Sequence, residues 1–231
     1  MAGAVIGLLL ALAGSARADF VVTYNSGFRK GGVIPDGDRS GWSDTRIVSG
    51  AGGSIVGLSV TLNLSGDCNG DLYAYLVHDA GFTVLLNRVG RSAANPTGYG
   101  DGGMNVTLTA GGSDIHNYQS GDYTLTAGQL TGIWSPDGRH IIPESAAGIF
   151  NTADRTALLS SFTGLNPNGI WTLYVADVNG GDQSTVTSWG LDIDVASVPE
   201  PGSMVEGALA ALFLGGAIGL YRLKGPKPAS A

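Results

Sequence analysis

The residues best equipped for chemistry are four carboxylates set around two turns. Asp67 and Asp71 flank Gly66-Asp67-Cys68-Asn69-Gly70, and Asp177 and Asp182 flank Val178-Asn179-Gly180-Gly181. Calcium takes about six to eight oxygens at roughly 2.3–2.6 Å, from carboxylates, carbonyls and amide side chains. If both turns lie at one end of the fold, the four Asp residues suit that ion, with Asn69, Asn179 and the Gly-rich backbones filling the shell. The other reading is that each Asp caps its own turn through backbone amides. Asp36, Asp38 and Asp44 form a looser group in a Gly-rich stretch and read as solvated turn carboxylates.

Other chemistries find less support. His78, His116 and His140 are scattered, and Cys68 is alone, so no zinc spacing exists. One Cys also excludes an internal disulfide. Paired carboxylates of the glycosidase kind depend on separation in space, which leaves a carbohydrate-active enzyme as the lowest-ranked reading. Tyr73, Tyr75 and Tyr99 offer stacking faces for sugars, or else ordinary packing on a sheet surface.

The elements that would hold these residues are strands. Only 13% of the 231 residues are charged and 38 are Gly, which favours an exported all-β domain with many tight turns. A net charge of −7 argues against nucleic acid as a partner. Ile55, Leu58, Val60, Leu62 and Leu64 give one apolar face, and residues 71–77 and 82–88 read as a strand pair around His78-Asp79-Ala80-Gly81. Residues 20–24, 47–48 and 104–108 read as further strands, residues 90–103 as a long loop, and 134–139 as a turn. Trp171, Leu173 and Val175, then Trp189, Leu191, Ile193 and Val195, alternate with polar residues, as strands of a two-sheet sandwich do. They are expected to pair as a final hairpin across the Asn179–Asp182 turn.

That ending resembles the P domain (P/Homo B), the β-sandwich that follows the catalytic domain of kexin-like proprotein convertases. The family pattern runs N-G, W-x-L-x-V-x-D, an acidic turn, then S-W-x-L-x-I. Here it is met by Asn168-Gly169, Trp171, Leu173, Val175, Asp177, Asp182, Ser188, Trp189, Leu191 and Ile193. Ile34-Pro35-Asp36, the run Gly70, Asp71, Leu72 and Leu76, and Leu159, Phe162 and Gly164 continue the likeness in order. Gln183-Ser184 departs from it, because many members have Gly there. The resemblance implies a jelly-roll sandwich over residues 19–197. It also implies an association with subtilisin-like serine endopeptidases, yet the signatures D-T-G, H-G-T and G-T-S-x-A are absent. The expectation is therefore a non-catalytic structural or binding module, facing extracellular polysaccharide. The alternative is an accessory domain for a separate protease chain.

Both ends carry address signals. Residues 1–18 read as a signal peptide, with an apolar run and a cleavage site at Ala16-Arg17-Ala18, although no Lys or Arg precedes the run. Residues 198–231 begin Val198-Pro199-Glu200-Pro201, continue as an apolar segment over about 204–221, and end with Arg222, Lys224 and Lys227. Eighteen apolar residues make a helix of roughly 27 Å, close to the bilayer core. This three-part ending resembles the PEP-CTERM sorting signal of Gram-negative bacteria. It implies a single transmembrane helix, an exosortase as processing partner, and a destination at the cell surface, outer envelope or matrix.

Overall fold

The computed structural model describes residues 19–23, 28 and 30–196. The expected signal peptide, Ala16 and Ala18, the Val198-Pro199-Glu200-Pro201 motif and the 204–221 segment lie outside the described residues. Among the described residues no helix is long and apolar enough to cross a membrane.

The fold is all-β, in two packed sheets. The strands are β1 (Asp19–Thr23), β2 (Gly32–Val33), β3 (Asp38–Val48), β4 (Ser54–Ser65), β5 (Leu72–His78), β6 (Gly81–Asn87), β7 (Met104–Asp114), β8 (Thr124–Thr126), β9 (Gln129–Ser135), β10 (Gly169–Asp177) and β11 (Thr185–Ala196). The larger sheet runs β1-β11-β4-β7-β9-β8, with β2 also on β11; the smaller runs β3-β10-β5-β6. All pairings are antiparallel except β7 with β9.

Alternation explains the layers. On β4, Leu58, Val60, Leu62 and Leu64 are buried, and on β5 Leu72, Ala74 and Leu76 are buried, so each sheet turns one apolar face inward. These faces join in one core with Trp171, Leu173 and Val175 of β10 and Trp189, Leu191 and Ile193 of β11. Trp171 donates its indole N–H to the Pro167 carbonyl at 3.0 Å, and Trp189 donates to Asp44 Oδ2 at 3.0 Å. Phe28 stacks on Trp189 with ring centroids 4.7 Å apart.

Three expectations are corrected. The last two strands are not a hairpin: β10 pairs with β3 and β5, while β11 pairs with β1, β2 and β4. Each has an apolar face, and placing the strands on opposite layers turns both faces into the one core. Residues 38–46 are not loop but most of β3, an 11-residue strand. It lies at the edge of the smaller sheet and is largely exposed, so it shows no apolar alternation. Within it Asp44 is buried, held by Trp189 and by Arg46 Nε at 2.7 Å. Finally, β9 extends into the segment read as a turn, and Trp134 is buried.

Trp171→Ala and Trp189→Ala are each expected to cost about 3–5 kcal/mol, the range for large aromatics removed from a core. Denaturant unfolding measures this. A loss under about 1 kcal/mol at both positions contradicts the assignment of the two rings to the inter-sheet core.

Candidate functional site

The chain crosses between sheets twice at one end. Residues 66–71 lead from β4 to β5, and residues 178–184 lead from β10 to β11. Since β4 pairs with β11 and β5 with β10, the two crossings lie side by side. Three of the four Asp residues singled out in the sequence gather here. Asp71 ends a short 3₁₀ turn, Asn69–Asp71, and is buried. Its Oδ1 accepts from Arg88 Nη2 at 3.1 Å, and Arg88 Nε donates to the Gly70 carbonyl at 3.0 Å. Asp182 is exposed, yet its carboxylate, that of Asp71 and the Cys68 sulfur all lie within 4.8 Å of one another. Asp177 closes β10 opposite Leu72 and is fully buried. Its Oδ1 accepts the Asn179 N–H at 3.2 Å, while its Oδ2 is buried with no hydrogen-bond partner.

Asp67 does not join this group; it is exposed. Asp36 is fastened to the second crossing instead, where both its oxygens accept the Gly181 N–H, at 3.0 and 3.1 Å. Of the amides named with the carboxylates, Asn69 is buried and donates Nδ2 to the Gly103 carbonyl at 2.9 Å, whereas Asn179 is exposed. Gly70 is required sterically: a Cβ there would lie 2.4 Å from the Thr97 carbonyl oxygen. Burial first, and then the charges of Asp71, Asp36 and Asp182, push the Asp177 carboxyl up to about 6, against one opposing backbone hydrogen bond from Asn179. Burial and then Asp71 push the Cys68 thiol up to about 11.

A second polar cluster is internal. His116 Nδ1 meets Asp137 Oδ2 at 2.8 Å, and Arg139 bridges Asp137 Oδ1 at 3.4 Å and Asp114 Oδ2 at 2.8 Å. His116, Asp137 and Arg139 are all buried. The other ring nitrogen of His116 faces the Arg91 carbonyl at 3.1 Å, and the neighbouring Ser135 hydroxyl accepts from Arg155 at 2.7 Å. Proton transfer from a serine needs that ring nitrogen on the hydroxyl, so the cluster is arranged as a clamp rather than a triad. It ties the irregular 136–157 segment to β7 and β9. His78, expected in a turn, ends β5 and is buried against Trp171, with parallel rings at 4.0 Å. Its two nitrogens face the carbonyls of Ile170 and Asn166, at 2.9 and 2.7 Å.

A third feature lies on the outer face of the smaller sheet. Tyr73 and Tyr75 alternate outward on β5, and Tyr174 of β10 stacks on Tyr75 with centroids 4.7 Å apart. Phe82 meets both Tyr75 and His140, at 5.5 and 5.0 Å. Beside these rings a groove of about 360 Å³ is lined by Tyr73, Tyr174, His140, Pro143, Arg39 and Glu144. Arg39 and Glu144 form an ion pair at 2.6 Å. The Tyr174 hydroxyl donates to the Arg39 carbonyl. Tyr99 is not part of this surface; it packs on the core edge-on to Tyr118 at 4.6 Å. The alternation of Tyr73 and Tyr75 was visible in the sequence. The groove's other wall comes from residues 140–144, which carry no periodic signal.

No family model matches this chain. No curated protein matches it either. Among solved structures, the chain is similar to one in the crystal structure of the Aeromonas sobria serine protease and chaperone complex. There the TM-score is 0.41 at 16% identity, over 79% of this chain and 28% of that one. The crystal structure of the serine protease of Aeromonas sobria gives a TM-score of 0.40 at 16% identity, over 78% and 27%. The chain thus spans little more than a quarter of the length of these neighbours.

Two outcomes follow from this geometry. Because the folded Asp177 carboxyl stands at about 6 against an ordinary 3.8, the folded state binds the extra proton between those values. Stability in chelator is then expected to fall as pH rises through that window, by on the order of 3 kcal/mol in all. The difference between wild type and Asp177→Asn across pH 4 to 7 isolates it, and a flat difference contradicts it. Asp137→Ala is expected to cost about 3–5 kcal/mol in denaturant unfolding, because it leaves the buried His116 Nδ1 without its partner and takes one of two carboxylates from the buried Arg139 guanidinium. A cost under about 1 kcal/mol would mean that the clamp is not what orders residues 136–157.

Proposed function

We propose that this chain is an exported, P-domain-like β-sandwich that binds rather than catalyses. Its C-terminal segment delivers it to the cell surface or the extracellular matrix. The observation that carries the reading is the groove on the smaller sheet. A sugar ring has apolar C–H faces and a hydroxyl rim. Tyr73 and Tyr174 offer aromatic faces for the former, and Arg39, Glu144 and His140 offer polar groups for the latter. The ligand class is extracellular polysaccharide. A P-domain type is supported by the Trp171 and Trp189 motifs, whose rings both occupy the core.

The test is binding of the purified full chain to a polysaccharide array, followed by Tyr73→Ala and Tyr174→Ala. Each variant is expected to bind about tenfold more weakly, a loss of roughly 1.4 kcal/mol of ring contact. Binding that is absent throughout, or unchanged in both variants, overturns the groove as the ligand face. A second reading, an accessory role beside a separate serine protease, is supported by the P-domain motif of residues 168–193. Copurification of a protease with a chain that binds no polysaccharide would favour it.

A further inference from the structure

Three Asn-Gly steps occur in the sequence, at Asn69-Gly70, Asn168-Gly169 and Asn179-Gly180. Such a step can cyclise on itself, because Gly has no Cβ to keep the asparagine side chain off its backbone nitrogen. From the structure we infer that Asn179 is a site of spontaneous deamidation, whose products change the charge and the backbone of the β10–β11 crossing. The reaction needs two groups free at once, the Asn side-chain amide and the next backbone N–H. At Asn69-Gly70 neither is free. Asn69 is fully buried, its Nδ2 donates to the Gly103 carbonyl at 2.9 Å, and the Gly70 N–H donates to the Tyr99 carbonyl at 2.8 Å. At Asn168-Gly169 the side chain is held at both its polar atoms: Nδ2 donates to the Ala51 carbonyl at 2.7 Å, and Oδ1 accepts the Ala51 N–H at 2.9 Å. Asn179 and Gly180 are both exposed. Among the described residues no hydrogen bond holds the Asn179 side chain or the Gly180 N–H.

The step balances with water alone. Hydroxide removes the Gly180 amide proton, and the nitrogen attacks Asn179 Cγ. The new C–N bond forms, the Cγ–Nδ2 bond breaks, and the leaving nitrogen takes a proton from water to depart as ammonia, which regenerates hydroxide. The product is a five-membered succinimide. Water then opens that ring at either carbonyl, and nothing is oxidised or reduced. One opening leaves aspartate in an unchanged backbone; the other leaves isoaspartate, with one extra backbone carbon. Either product adds a carboxylate to a crossing that already carries Asp177 and Asp182, with Asp36 fastened to it through Gly181. Like charges this close repel in the folded state. The segment is also pinned on both sides of the reacting bond: the Asn179 N–H donates to Asp177 Oδ1 at 3.2 Å, and the Gly181 N–H donates to Asp36 Oδ1 at 3.0 Å. An extra backbone carbon between those two anchors shifts one against the other.

The experiment is incubation of the purified full chain at mildly alkaline pH, folded and in parallel in guanidinium, with peptide mapping by mass spectrometry at intervals. In the folded chain Asn179 is expected to convert at least about tenfold faster than Asn69 or Asn168, since those two must first open locally. In guanidinium the three rates should converge, because the burial and hydrogen bonds that separate them are gone. Gly180→Ala is the control on mechanism. A Cβ there has Asp36 Oδ1, at 4.0 Å, as its nearest contact outside the adjoining residues, so the fold is kept. The added branch hinders ring closure, and conversion at Asn179 should slow by at least about tenfold. The converted chain should unfold at a lower midpoint than the fresh chain. Conversion of Asn69 or Asn168 as fast as Asn179 in the folded chain overturns the assignment. An Asn179 that reacts in guanidinium but not in the folded chain overturns it too, and so does an unchanged rate in Gly180→Ala. Full conversion with an unchanged midpoint overturns the effect on the crossing.

Discussion

The two Trp-bearing strands, which follow each other in the chain, bury their apolar faces against one another across the core. Trp171, Leu173 and Val175 on β10, and Trp189, Leu191 and Ile193 on β11, belong to the same core. Neighbours in one sheet would point these faces the same way and leave them for other partners. Placed on opposite layers, they fill the space between the sheets directly. The cost is a crossing, in which the backbone leaves one ladder before it joins the next. The β4–β5 connection meets the same requirement, and strand pairing sets the two crossings together. The acidic end is thus a consequence of how the core is closed.

Much of the fold was legible because half-buried strands write their burial with a period of two. β4, β5, β10 and β11 are the centre of the molecule and show it plainly. β3 was largely missed, since an exposed edge strand such as Asp38–Val48 has little to bury and so has no pattern. β9 was missed because it is short, contains Gly132 and pairs in parallel with β7. The sheet to which β10 and β11 belong was not legible either. Alternation reports which residues face inward, and says nothing of which layer they face inward from.

The site divides along the same line. Whether the two acidic turns share an end was open in the sequence, and the structure puts Asp71 and Asp182 together. Asp67 is four residues from Asp71 in a 3₁₀-bearing turn, and spacing alone does not fix which of the two faces the neighbouring crossing. Asp36 enters through a contact 145 positions away in sequence. Arg88 does so through its place just beyond β6. Such contacts leave no local trace. The His116, Asp137 and Arg139 clamp is likewise built from segments that read only as polar and aperiodic.

The buried charges differ in how fully the chain meets them: among the described residues Asp177 Oδ2, Arg46 Nη2 and Arg91 Nε are buried with no hydrogen-bond partner. Asp137 spends both oxygens on His116 and Arg139. Asp44 Oδ2 receives both the Trp189 indole and the Arg46 guanidinium. In each case the acceptor is met by donors from the chain itself, as burial requires. Asp177 is as deeply buried, lies next to further carboxylates, and has one oxygen met by nothing in the chain. An apolar residue would fill the same position at the end of β10 without that penalty. A carboxylate in that place is costly while it is ionised, and protonation relieves that cost. Burial and the neighbouring carboxylates make Asp177 hold its proton more tightly than an ordinary aspartate does, and that is the form in which the position costs the fold least.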